Sequence, residues 1–513
     1  MAIKFDRRQV LRGAAAGAAG AALLPIDAFS RDRLVIRLDR DLQNLDPAYR
    51  IGPLEANILR GVTRRLVKFK PGVVEFENDA ASSIRQVDDK LIEFTLKEGM
   101  RFQGGYGEVT ADDVKFSFER FNQPGPGGKK STYAKDWDAL DGVEVTGKYS
   151  GRLVLKRPAP ALWLIAIGDG SGCIVSRKAF DALGEKTAVQ LHGAGPYALA
   201  EWVPNQRIVL RADPNYVGPK PYFQEIVLRP ILEGKTAQLA FRSGEIDFTS
   251  LEPTEAAEMA RDPSAKIIKK DSINYVWIGI NVEKKPYDDI RVRHAIQKAI
   301  DVDQLILGAY NGTVTRARSL MAPGLLGHWA DAPVIKRDLP GAKKLLADAG
   351  LPSGFKAKIT VLNRPTFQAA AQIAQANLAE IGVDLAIEVL DTGTYYSSGK
   401  GDVGKNLELS LQRFGGKLDP GFQTQWFTGE QVGEWNWQRW RNDEFDRLDR
   451  IGQSTIDTKA REAAYIRMQQ LMADSVAYIW LTHEVNVFAG KTWLRPSILP
   501  NGDDWQYEHF LEA

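Results

Sequence analysis

Residues 357–390 read AKITVLNRPTFQAAAQIAQANLAEIGVDLAIEVL, and the fold class turns on this stretch. Residues 357–362 suit a strand, residues 367–381 carry apolar side chains at helical spacing until Gly382 stops them, and residues 384–390 return to strand. Strand, helix and strand in that order make a crossover that lays the two strands parallel. Working toward the N-terminus, residues 343–349 read as a helix stopped by Gly350, residues 290–300 as a helix, and residues 276–280 as a strand, with Asp301 placed to cap the next helix. The alternation predicts an α/β unit with a largely parallel sheet flanked by helices, beginning near residue 266.

The first half of the chain is patterned differently. Residues 34–38 suit a strand, residues 44–48 (NLDPA) a turn, residues 54–66 a helix and residues 91–96 a strand. Thr110 and Asp113 open a helix that runs to about residue 121, and the Pro and Gly residues from Pro124 to Gly128 mark a mobile loop. Residues 197–202 and 207–211 flank a turn and predict a strand pair.

With 513 residues the chain is long enough for two or three lobes. Its 67 Lys+Arg and 65 Asp+Glu nearly cancel, and removal of residues 1–30 would leave 63 of each sign, so no global field draws nucleic acid or anionic lipid. Cys173 is the only cysteine and the five histidines are scattered, which argues against disulfides, zinc sites and other metal centres. Beyond the N-terminus no apolar run approaches the roughly 18 residues that cross a bilayer.

Residues 6–12 (DRRQVLR) lead into a small-residue apolar stretch from Gly13 to Leu24 and then Pro25, the layout of an export signal. The Arg7-Arg8 pair matches a twin-arginine signal. A soluble periplasmic protein is the expectation, with no lipid anchor because no cysteine closes the signal.

Catalytic motifs fail on inspection. Gly234-Lys235-Thr236 lacks the first glycine of a phosphate loop, since position 229 is Arg229. Gly193-Ala194-Gly195 runs into Pro196 and a strand where a dinucleotide site needs a helix. His483-Glu484 is followed by Val487 where a zinc protease needs histidine, and no Gly-x-Ser-x-Gly occurs. No catalytic residue and no cofactor is therefore expected.

Several segments in order, among them Leu45-Asp46-Pro47-Ala48, residues 94–102 (FTLKEGMRF), residues 110–117 (TADDVKFS), residues 215–221 (NYVGPKP), Arg291-Val292-Arg293-His294-Ala295 and residues 342–350 (AKKLLADAG), carry a resemblance. In them the chain resembles the extracellular solute-binding proteins of the peptide, nickel and opine group of ABC transporters. The resemblance implies a two-lobed α/β periplasmic binding protein fold, of the type II, large peptide-binding class, with an extra domain inserted in the first lobe. Residues 31–60, 191–265 and 480–513 would form lobe I, residues 61–190 the insertion and residues 266–479 lobe II. It also implies a small-molecule ligand, an inner-membrane ABC permease as partner and a monomer.

One departure concerns the ligand. Peptide-binding members place an aspartate four residues before the proline of an Asp-Pro pair to hold the ligand's ammonium; here that residue is Gly416, flanked by Arg413 and Lys417. Cations in place of a carboxylate favour an anionic solute, because arginine grips an oxyanion through paired N–H groups. Phe414, Phe422, Trp426, Phe427, Trp435, Trp437 and Trp440 make the same region rich in aromatic faces for stacking. The ligand-binding candidates are thus Tyr49, Arg50, Arg413, Phe414, Lys417, Asn436 and Trp437. The rival readings are a secreted hydrolase of peptides or oligosaccharides in the same cleft, and a receptor for a metal chelate.

Overall fold

In the computed structural model the stretch quoted above forms the strand Lys356–Leu362, the helix Pro365–Ala379 and the strand Asp384–Leu390, the two strands parallel and in continuous register. The structure describes residues 31–512 except Ile51. The export signal expected from the sequence at the N-terminus lies outside the described residues.

These strands begin a five-stranded sheet ordered Asp384–Leu390, Lys356–Leu362, Leu409–Phe414, Tyr275–Ile280, Tyr478–Thr482. The first three run parallel, but Tyr275–Ile280 is antiparallel to both its neighbours, so the sheet is mixed rather than largely parallel. The reason is the path of the chain: Tyr275–Ile280 enters this lobe and Tyr478–Thr482 leaves it, and both are joined to the other lobe rather than by local crossovers. Every residue of Tyr275–Ile280 is buried, since helices cover both faces. Asp301 caps the helix Val302–Tyr310 through the Gln304 N–H, and Gly350 and Gly382 take φ values of 80° and 81° where helices end, a conformation that glycine adopts without strain.

A seven-stranded sheet builds the other lobe, ordered Tyr197–Val203, Arg207–Ala212, Glu225–Pro230, Arg33–Leu38, Phe248–Leu251, Val485–Lys491, Ala265–Asp271. Arg33–Leu38 is parallel to both neighbours and the rest are antiparallel. Because Ala265–Asp271 belongs here, the chain changes lobes at residues 272–274 rather than near 266, and returns at residues 483–484 rather than at 480. Between the first and second visits to this sheet, residues 81–155 fold a separate four-stranded antiparallel sheet, against which the helix Ala111–Glu119 packs. At its start the Asp113 carboxylate accepts from the Thr110 N–H at 3.0 Å and from the Thr110 hydroxyl at 2.9 Å.

Candidate functional site

Two crossings at residues 272–274 and 483–484 leave a cleft between the sheets, and the cleft holds two chambers. The first, of about 470 Å³, is walled by Arg50, Arg60, Asp503 and Asp504 of the first lobe, by Tyr133 and Asp169 of the inserted unit, and by residues 415–418 of the second lobe. Arg50, Arg60 and Lys417 are each paired with a carboxylate. Arg60 donates to Asp169 at 2.7 Å and to Asp504 at 2.8 Å; burial works against its charge, but the two carboxylates prevail and hold its pKa up. Arg50 donates to the Tyr133 hydroxyl at 2.8 Å and lies 4.0 Å from that ring's centre. Lys417 reaches across the cleft to Asp136 of the inserted unit at 2.5 Å, and burial raises the Asp136 carboxyl against the pull of that lysine.

The second chamber, of about 630 Å³, lies at the carboxyl ends of parallel strands in both lobes: Asp39 follows Arg33–Leu38, Glu233 follows Glu225–Pro230, Arg364 follows Lys356–Leu362 and Arg413 ends Leu409–Phe414. Crevices at such strand ends are where α/β sheets bind ligands. Arg413 donates its Nε–H to Glu484 at 2.8 Å, and Arg364 stands 3.9 Å from the other oxygen of the same carboxylate. Two arginines thus share one anion. The hydroxyls of Tyr310 and Thr366 are buried beside them without a hydrogen-bond partner in the protein. Asp503 lines both chambers; its carboxyl is pushed up to about 6 by its surroundings and by Asp504, against the pull of Arg413.

Of the residues named from sequence, Arg50 and Lys417 line the first chamber, Arg413 the second, and Phe414 a side pocket next to the first. Arg413 and Lys417 therefore do not converge on one anion. Tyr49 lies outside these cavities and directs its hydroxyl to the Lys129 carbonyl at 3.4 Å. Asn436 and Trp437 have structural places: the Asn436 amide donates to the carbonyls of Phe427, Thr428 and Trp440, and Trp437 is 2% exposed, packed on Tyr395 and closing over Gly399. The chamber walls also hold Arg60, Tyr133, Asp169, Tyr310, Arg364 and Asp503, which sequence reasoning did not name. Arg364, two residues past a strand that the pattern predicts, could have been found by the strand-end rule.

Among the described residues, no group of three or more His, Cys, Asp or Glu side chains is placed to hold a metal ion, and no helix is long and apolar enough to cross a membrane. Two α/β lobes, joined by two short crossings around a cleft lined from both sides, define a binding protein that closes on a solute. The chain belongs to the bacterial extracellular solute-binding proteins, family 5, whose family model (its "Middle" region) matches residues 75–434. A probable D,D-dipeptide-binding periplasmic protein, DdpA of Escherichia coli strain K12, is 28% identical over 472 residues, covering 88% of this chain and 89% of that protein. The structure of HbpA2 from Haemophilus parasuis superposes with a TM-score of 0.86 at 22% identity, covering 94% of this chain and 100% of the other. The periplasmic binding protein DppA from Helicobacter pylori, in complex with the peptide STSA, does so with a TM-score of 0.75 at 26% identity, covering 94% and 98%.

Proposed function

We propose that the chain is the exported receptor of an ABC importer and that it captures a small carboxylate-bearing solute, peptide-like or opine-like, in the interlobe cleft. One observation carries this reading: Arg364 and Arg413 share Glu484 beside the unpartnered hydroxyls of Tyr310 and Thr366 in the second chamber. Two guanidinium groups served by one carboxylate retain N–H donors for a second, and the hydroxyls can complete its shell. The anion site of this reading is thus Arg364 with Arg413, and Lys417 serves the other chamber. The Arg7-Arg8 signal directs the folded chain to the periplasm, where it works as a monomer and delivers the solute to an inner-membrane permease.

The test is thermal unfolding of the mature protein against dipeptides, conjugates of amino acids with sugars, and polycarboxylates, because a ligand that binds the native state raises the midpoint. The expected result is a rise with carboxylate-bearing ligands that is abolished in Arg364→Ala. Release of hydrolysis products, or a rise confined to ligands without a carboxylate, would overturn the reading.

A further inference from the structure

At Gly415 and Phe422 the first chamber adjoins a smaller pocket of about 180 Å³, walled by Phe414, Gly415, Phe422, Trp426 and Trp435. Its four rings meet edge to face: Phe414 and Trp435 at 84° and 5.8 Å, Trp426 and Trp435 at 71° and 6.0 Å, Phe422 and Trp426 at 85° and 5.5 Å. Parallel stacking would consume the space between them, whereas rings set at right angles act as the sides of a box. The only polar side-chain atoms in the wall are two indole nitrogens, so a polar guest would lose its water with little return.

A box of aromatic faces would ordinarily suit a cation. Here the faces are already engaged. Lys135 lies 5.2 Å from the Trp426 ring, Lys400 5.1 Å from Trp435 and Lys417 4.9 Å from Phe422, while none of the three lines the box itself. A positive guest would find no carboxylate within the wall and three ammonium groups across the rings, two of them, Lys417 and Lys400, paired with Asp136 and Glu434, so it would gain little there. A neutral guest meets no such penalty, and an open-mouthed pocket of about 180 Å³ has room for one phenyl ring against its aromatic walls.

We propose that this aromatic box is a side-chain subsite that takes a neutral, bulky apolar group of the ligand, a phenyl ring or a branched aliphatic chain, and turns away cationic ones. The inference rests on the peptide-like or opine-like reading above and narrows it to solutes with one large apolar substituent. Gly415 gives a way to close the box. A Cβ added there meets only Asn274 Oδ1, at 3.6 Å, and the backbone is not left-handed, so a larger residue can be accommodated at the mouth.

Calorimetric titration of the mature protein with Gly-Phe, Gly-Leu, Gly-Gly and Gly-Lys, each free and N-acetylated, tests the proposal. Gly-Phe and Gly-Leu are expected to bind about tenfold or more tighter than Gly-Gly, from the apolar area buried, and Gly-Lys to gain nothing. In Gly415→Leu and in Trp435→Ala the ratio of Gly-Phe to Gly-Gly affinity should fall toward one. Gly-Lys binding as tightly as Gly-Phe, or a preference retained in Gly415→Leu, would overturn it. A second readout separates the box from the ligand reading: crystals soaked in bromobenzene should show an anomalous bromine peak between Trp426 and Trp435, and crystals soaked in tetramethylammonium should show nothing there. A bromine peak in the box with no binding of any dipeptide upholds the box and refutes the peptide-like reading. An absent peak refutes the box whatever the dipeptides do.

Discussion

At position 416 a side chain has nowhere to go. A Cβ built there stands 2.1 Å from the Ile273 carbonyl oxygen and 2.9 Å from its carbon, and the Gly416 N–H donates to Asn274 Oδ1 at 3.2 Å. The crossing segment has taken the space in which the resemblance to peptide-binding members would put an ammonium-holding aspartate, so the glycine is a consequence of close backbone approach. Gly416→Ala should cost about 1–3 kcal/mol, the usual range for overpacking against backbone, seen as a lower urea midpoint at unchanged slope. An unchanged midpoint would mean that the crossing gives way freely. The same residue scale shows what was legible in the site. Arg413 and Lys417 stand out in sequence as cations beside a missing carboxylate, but their partners Glu484 and Asp136 lie 71 and 281 residues away, and pairing over such spans leaves no local pattern. Asn436 shows the limit from the other side: a buried amide that serves three carbonyls of its own loop reads, letter by letter, like one that faces a ligand.

Between the two sheets the return crossing, residues 483–484, is an element of a single bend, with Glu484 at a φ of 61° and His483 8% exposed. His483 has Nδ1 buried without a partner, and burial, reinforced by nearby His328, lowers its pKa to about 4 from 6.5. The folded state thus prefers the neutral ring while the unfolded chain takes up a proton below 6.5, so this group's support is complete above that pH and is lost as the pH falls toward 4. The loss amounts to about 3 kcal/mol at most. Subtracting the curve of His483→Gln from that of the wild type cancels the other titrating groups and should leave a difference that changes only between about pH 6.5 and 4; a flat difference would place the ring in water. Elements such as Pro365–Ala379 and its flanking strands were legible because period, apolar spacing and a terminal glycine are local. The antiparallel run of Tyr275–Ile280 was not, since strand direction is set by partners about 130–140 residues away at Leu409–Phe414 and some 200 away at Tyr478–Thr482. The helix read over residues 54–66 ends at Val62 for a related reason: Arg64 and Arg65 turn to meet Asp79 in the inserted unit, a contact that spacing alone does not announce.

For the whole molecule, closure depends on what ties the lobes together besides the two crossings. The Lys417–Asp136 pair is one tie, between the second lobe and the inserted unit of the first, with side chains 22% and 10% exposed. A second is apolar: Phe69 and Leu499 of the first lobe pack in one cluster with Ile273 and Leu418. A ligand shifts such a two-state equilibrium only by contacts that it makes in one state alone, so a tie that favours the closed form without ligand lowers what the ligand must supply. Lys417→Met removes the charge, keeps much of the stem and leaves Asp136 desolvated without its cation whenever the cleft is shut. A charge-assisted contact of this burial contributes about 1.5–3 kcal/mol, which shifts the ratio of closed to open by about tenfold or more. Small-angle scattering of unliganded Lys417→Met should therefore give a larger radius of gyration than the wild type. Lys417→Met combined with Asp136→Leu, which removes the stranded carboxylate and restores apolar contact, should recover part of the difference. If Lys417→Met scatters like the wild type, the ion pair follows closure rather than favouring it, and the apolar contact at Phe69 and Leu418 would be the tie that sets the balance.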